Sequence, residues 1–157
     1  MADFSHLNQA GEAAMVDVSG KAASVRTAMV CGRVEISAVC ASKLTKDAVR
    51  EICSTARIAG ISAAKQTATL IPMCHQIPLS KVNLSIEFHD RFFDLVVSTK
   101  TESNTGVEME ALCAATIAGA TIYDMIKAVD PAAIVGPFML KEKRGGQNGP
   151  WDRPQER

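Results

Sequence analysis

The sequence predicts an α+β fold with the element order β-α-β-β-α-β, and three patterns lead to it. From Lys81 to Val97 two stretches alternate apolar and polar residues across a turn at His89-Asp90-Arg91, the pattern of a β-hairpin. Long small-residue stretches before and after that hairpin repeat their apolar positions at three- and four-residue spacing, the pattern of helices. β-prone segments open and close the series. Two helices would then cover one face of a four-stranded antiparallel sheet, the split βαβ or ferredoxin-like arrangement.

Each element has its own warrant. Met1 to Ala14 is small and polar and reads as a flexible arm; Met15 to Ser19 alternates and reads as a short extended segment. Val25 to Ile36 is the first strand, with Val30, Val34 and Ile36 apolar and Gly32 placed for a bulge. Val39 to Lys46 fits no single period. Asp47 to Leu70 is the first helix, with Val49, Ile52, Cys53, Ala56, Gly60 and Ala63 on one side, Thr45 as its cap and Pro72 as its stop. Met73 to Ser80 is a proline-bracketed loop. Val82, Leu84, Ile86 and Phe88 share one face of the hairpin's first strand, and Phe93, Leu95 and Val97 share one face of the second. The second helix opens at Thr105-Gly106, runs to about Val129 and ends before Pro131. Ile134 to Leu140 is the last strand, and Glu142 to Arg157 reads as a loop and tail, flexible from residue 145. The second helix is apolar most of the way round, which calls for burial on more than one side and so for subunit association.

Composition bounds the function. A chain of 157 residues is one domain. With 17 basic and 17 acidic residues it has no net field for nucleic acid. No apolar run has the length of a membrane span, the N-terminus has no cationic start or apolar signal core, and five cysteines without CxxC spacing fit reduced thiols. These features read as cytoplasmic.

Several groups could carry chemistry. Asp124 and Lys127 share a helix face; spacing alone favours a surface ion pair, while the apolar neighbours Tyr123, Met125 and Ile126 favour an acid–base pair. Glu108 and Glu110 lie in the first turn of the same helix, where the dipole favours carboxylates, and they point to different faces. Glu110 and Asp124 are roughly 20 Å apart along the axis, so both serve one site only if a second chain folds across. Cys74-His75 lacks spaced partners for a metal; His75 reads as an anion donor, an acid–base group or a partly buried loop residue. Arg57 reads as structural. Lys21 and Arg26, with Lys141, Lys143 and Arg144 ahead of Gly145-Gly146, would form a phosphate surface if the termini converge. No Walker A or dinucleotide fingerprint is present.

Six segments in this order are far more specific together: AGEAAMVDVS (10–19), TARIAGISAAK (55–65), LIPMCHQIPL (70–79), TGVEMEALCAA (105–115), TIYDMIKAVD (121–130) and the glycine pair at 145. They resemble the MoaC family, the cyclic pyranopterin monophosphate synthases of molybdenum cofactor biosynthesis, from about Ser5 to Gly149. The resemblance implies a ferredoxin-like fold, hexamers built as trimers of dimers, and active sites between subunits. It implies conversion of 3′,8-cyclo-7,8-dihydroguanosine 5′-triphosphate to cyclic pyranopterin monophosphate with release of pyrophosphate, without a redox cofactor or metal. It implies Asp124 and Lys127 as the acid–base pair, and Met73, Cys74, His75, Glu108, Met109 and Glu110 as substrate contacts. Lys21, Arg26 and Lys143 match positions that meet phosphates.

The chain departs from the family pattern at three places. The usual Lys-Gly-Asp before the first long helix, whose lysine is catalytically important in the family, is here Val49-Arg50-Glu51, with Lys46 upstream. The basic residue after the paired glycines is Gln147, and the position before Met15, often His, is Ala14. These departures set an active synthase against an impaired paralogue that keeps the fold and binds a nucleotide or pterin, or serves as an assembly protein.

Overall fold

A computed structural model describes residues 4–8, 10–147 and 149–154. Of the stretches expected to be flexible, residues 1–3, 9, 148 and 155–157 lie outside the described residues. The elements follow the order β1 (Ser24–Glu35), α1 (Ala38–Lys43), α2 (Lys46–Lys65), α3 (Thr67–Leu70), β2 (Leu79–His89), β3 (Phe92–Ser103), α4 (Glu108–Ile126), β4 (Ile134–Arg144) and β5 (Trp151–Asp152). The sheet order is β2-β3-β1-β4-β5, antiparallel throughout. Its four long strands with α2 and α4 on one face are the expected ferredoxin-like frame.

Alternation decides which face is the core. Val30 and Val34 of β1, Leu84 and Ile86 of β2, and Phe93, Leu95 and Val97 of β3 are buried under the helices. The β2–β3 hairpin turns through Asp90 and Arg91, where Asp90 takes φ 52°, a left-handed conformation that aspartate tolerates. Gly32 sits at an irregularity in the β1–β4 pairing, and a Cβ there would strike the Phe138 ring.

Helices α2 and α4 meet closely because the seam is small. A Cβ on Gly60 would lie 2.8 Å from the Ala114 carbonyl oxygen, so only glycine lets the two backbones approach. Thr45 caps α2 as expected, its side chain accepting from the Ala48 N–H at 3.1 Å. Arg57 is structural, donating from Nε to the Leu84 carbonyl at 3.1 Å.

Several expectations are corrected. The first long helix ends at Lys65, well before Pro72, because buried Thr67 turns its hydroxyl onto the Ala63 and Ala64 carbonyls and Gln66 leaves helical geometry. The ambiguous stretch at Val39 holds α1, capped by Ser37, whose hydroxyl accepts from the Cys40 N–H at 3.2 Å. Met15 to Ser19 joins no strand. Glu142 to Arg144 continue β4 and do not form a loop, and the tail returns as β5. Helix α4 does reach the length and apolarity of a membrane span. Within the chain that apolarity is taken up by α2 on one side and the sheet on the other, with Ala111, Ala114, Ala115, Ala118 and Ile122 buried. Its girth alone therefore gives no argument for a second subunit.

Candidate functional site

The start of α4, the β3–α4 connection and the end of β4 converge on one cleft with two lobes. The smaller lobe, about 110 Å³, is lined by Lys21, Arg26, Lys143, Arg144, Gly145, Gly146 and Gln147. The larger, about 430 Å³, is lined by Met73, Cys74, His75, Met109 and Glu110 together with the N-terminal segment. Lys21, Arg26, Gly106 and Glu108 line both, so the lobes share a wall.

Glycine makes the small lobe possible. Gly145 and Gly146 each take φ 84°, and side chains at these positions would run into the Val25 carbonyl and the Arg26 guanidinium. Two residues without side chains beside cations leave the backbone open to an oxyanion. Arg26 is held in place by donating from Nε to the Ser103 carbonyl at 3.0 Å. Arg144 bonds to Glu142 and Asp152 at 2.9 and 2.6 Å and so braces the wall without offering a free charge.

The shared wall is an ion pair. Lys143 Nζ donates to Glu108 Oε1 at 3.0 Å, both side chains partly buried. The Glu108 carboxylate folds back over Gly106, into the space a Cβ there would fill. Helix α4 begins at Glu108 after Val107, which offers no side-chain cap, and the Glu110 N–H is taken up by its own carboxylate.

Glu110 is only 4% exposed at the floor of the large lobe. Burial, reinforced by the charge of Glu108, pushes its pKa up to about 7, against the pull of its own backbone N–H. Near neutrality it can either hold or release a proton. Cys74 beside it is also held above the usual thiol range, by burial first and then by Glu110 and Cys113. It stays a thiol at neutral pH. His75 donates from Nε2 to the Val16 carbonyl at 2.8 Å, so this N–H ties down the N-terminal segment and is not free for an anion.

Nine of the eleven residues expected in the site therefore line this cleft. Asp124 and Lys127 do not. They stand at the other end of α4, on exposed surface, with Lys127 Nζ donating to Asp124 Oδ1 at 2.6 Å. That bond and the charge of Asp124 raise the lysine's pKa. Beside this end lie the first two turns of α2: Ala48, Glu51 and Ile52 face Met125, Ile126 and Val129 across a groove of about 280 Å³. Position 49, where the family pattern has lysine, is thus inside α2. Val49 rests against the core, and Arg50 points outward to Asp47 and Glu51 at 3.2 and 3.6 Å. Neither Arg50 nor Lys46, the first residue of α2, lines the groove; Lys43 of α1 does.

Sequence reasoning missed His6, Val16, Val18 and Asn104 as lining residues, and the bracing role of Arg144. Val16 and Val18 sit within a recognised motif and could have been found there. Nothing in the sequence marks His6.

Fold and cleft together define a ferredoxin-like α+β protein with a cationic, glycine-lined pocket opening into a larger chamber with a buried carboxyl group. The chain belongs to the MoaC family, whose model matches residues 15–146. It is 41% identical to the cyclic pyranopterin monophosphate synthase of Bacillus pumilus, over 99% of each chain. It is 44% identical to the Streptomyces avermitilis synthase, over 96% of this chain and 89% of that one. It is also 44% identical to the synthase of a Nocardioides species, over 96% of each.

Proposed function

We propose that this protein is a cyclic pyranopterin monophosphate synthase, a lyase of molybdenum cofactor biosynthesis. It would convert 3′,8-cyclo-7,8-dihydroguanosine 5′-triphosphate to cyclic pyranopterin monophosphate and pyrophosphate. The observation that carries this reading is the two-lobed cleft. Its small lobe has the cations and open backbone suited to a polyphosphate, and its large lobe has room for a purine-derived ring above a carboxyl group poised near neutral pH. Relatives at 41–44% identity carry this activity in their names.

In this reading Lys21, Arg26 and Lys143 neutralise the phosphates, with Lys143 exchanging Glu108 for substrate oxygen. A substrate hydroxyl attacks the α-phosphorus, forming the cyclic phosphate as the bond to the departing pyrophosphate breaks. Cationic stabilisation of such charge is among the largest contributions a site makes. Met73, Cys74, His75, Met109 and Glu110 shape the ring chamber. Asp124 and Lys127 act as the acid–base pair of a site shared between chains: they lie about 21 Å along α4 from Glu110, and a neighbouring subunit brings its own pair across. The assembly is a hexamer, a trimer of dimers. All five cysteines are free, which fits a reducing cytoplasm. Product formation by the purified protein from the cyclic triphosphate tests the reading, and absence of turnover sinks it.

One observation favours a second reading, an impaired paralogue that binds a nucleotide or pterin. The first two turns of α2 occupy the stretch where the family carries Lys-Gly-Asp, beside the end of α4 that bears Asp124 and Lys127. Introducing Val49→Lys, Arg50→Gly and Glu51→Asp together should then create activity. Normal turnover by the wild type rules this reading out.

A further inference from the structure

The segment ahead of the MoaC match at residue 15 is a built part of the cleft wall. Residues 4–8 and 10–14 form a hairpin closed by the Leu7–Ala13 bridge and by backbone bonds from Asn8 to Glu12 at 2.9 Å and from Ala14 to His6 at 3.0 Å. Asn8 Oδ1 accepts from the Ala10 and Glu12 N–H groups, both at 2.9 Å, and fixes the turn. Downstream, His75 and Asn104 grip the Val16 and Val18 carbonyls at 2.8 and 3.0 Å. The hairpin is thereby held against the large lobe, where Ser5 and His6 contribute lining.

His6 is oriented within this hairpin. Its Nδ1 lies 3.3 Å from the Ala14 carbonyl oxygen. A carbonyl oxygen only accepts, so Nδ1 carries the hydrogen and the neutral ring offers Nε2 as an acceptor. Among the described residues no protein group bonds to Nε2. His6 lines the large lobe and not the small one, where Lys143 and the glycine pair lie, while Lys21 and Arg26 stand on the wall between the two. With the phosphates assigned to the glycine-lined small lobe, the ligand group that His6 meets belongs to the heterocycle or sugar.

We propose that His6 is a binding residue of the site, accepting through Nε2 a hydrogen bond from an N–H or O–H on the nucleoside part of a guanosine-derived triphosphate. The inference rests on reading the cleft as a nucleotide site. The hairpin sets the ring's orientation, and His75 acts partly through it by pinning the strap.

Calorimetric binding to the full chain tests this with two probes: GTP, which has the purine, sugar and phosphates, and inorganic pyrophosphate, which has only the phosphates. His6→Ala should weaken GTP about tenfold, the size of one lost hydrogen bond with its partner left unpaired, and leave pyrophosphate unchanged. His6→Gln, which returns a polar group near the Nε2 position, should recover most of the loss. Equal GTP affinity in wild type and His6→Ala overturns the inference. So does a parallel loss for both probes, which would make the hairpin a general support for the phosphate lobe. Turnover of the cyclic triphosphate is measured separately. A wild type that binds GTP through His6 but does not turn over defeats the synthase reading and leaves this one standing.

Discussion

At its N-terminal end α4 carries two carboxylates folded into the protein; at its C-terminal end it carries a carboxylate and a lysine in solvent. Glu110 is buried and held near neutrality, and Glu108 is clamped between Gly106 and Lys143. Asp124 and Lys127 have only each other, and their side chains are 71% and 56% exposed. One helix thus presents a buried carboxyl group beside a clamped carboxylate at one end and an exposed ion pair at the other. The buried end is recognisable from one chain because burial perturbs Glu110. The exposed end shows only a surface lysine whose pKa is raised by the bond to its neighbour's carboxylate, and the acid–base role proposed for it rests on a neighbouring subunit closing over it.

The comparison breaks most sharply at the exposed end. Lys127→Ala should cut turnover by about 10²-fold or more, the range of a lost acid–base group, with the thermal midpoint unchanged. Unaltered turnover in that variant would show the pair to be ornamental surface charge. At the buried end, Gly106→Ala puts a methyl group where the Glu108 carboxylate sits. KM for the cyclic triphosphate should rise about tenfold, corresponding to roughly 1.4 kcal/mol, as the displaced Glu108 carboxylate is pushed into the cleft it lines. Saturation kinetics on the variant check this.

Glu110 ties function to stability. Its pKa in the folded protein is raised from 4.5 to about 7, so its contribution is fully present below pH 4.5 and is lost as pH rises toward 7 and above. Glu110→Gln should therefore flatten this part of the pH–stability curve. At pH 8 it should leave the protein more stable than wild type by about 3 kcal/mol, while lowering turnover. Chemical denaturation at pH 5 and pH 8 reads the sign directly, and a variant less stable at pH 8 would contradict it. The smallest expected change in activity comes from Gly60→Ala in the helix seam. Overpacking should cost about 1–3 kcal/mol in unfolding free energy and leave turnover per folded molecule unaltered.

Much of this was readable in the residues. Alternation in Val82 to Phe88 and Phe93 to Val97 placed the hairpin and its buried face, and Gly60 fell on the side of the first helix that meets α4. The end of α2 was not readable, because Thr67's hydroxyl bonding to the preceding turn competes with Pro72, and only tertiary burial decides between them. Strand β5 was hidden in a charged tail, since its pairing depends on Arg144 reaching Asp152. Motif resemblance gathered most of the cleft residues. The role of His75 as a tether for Val16 required the fold, because the two are 59 residues apart.

The pairing of β5 with β4 has a consequence for how a ligand is received. Trp151 and Asp152 pair with Lys143 and Glu142, and Arg153 donates to the Lys141 carbonyl at 2.8 Å, so the turn carrying Gly145 and Gly146 is fastened at both ends. Glycine pairs ordinarily lose much chain entropy when they order around an anion. Here that loss belongs to folding and not to binding. Under the proposed function a phosphate group would meet Gly145 and Gly146 with their conformation already fixed by the fold, and its uptake at the small lobe should show little opposing entropy from these two residues, a signature calorimetry can read.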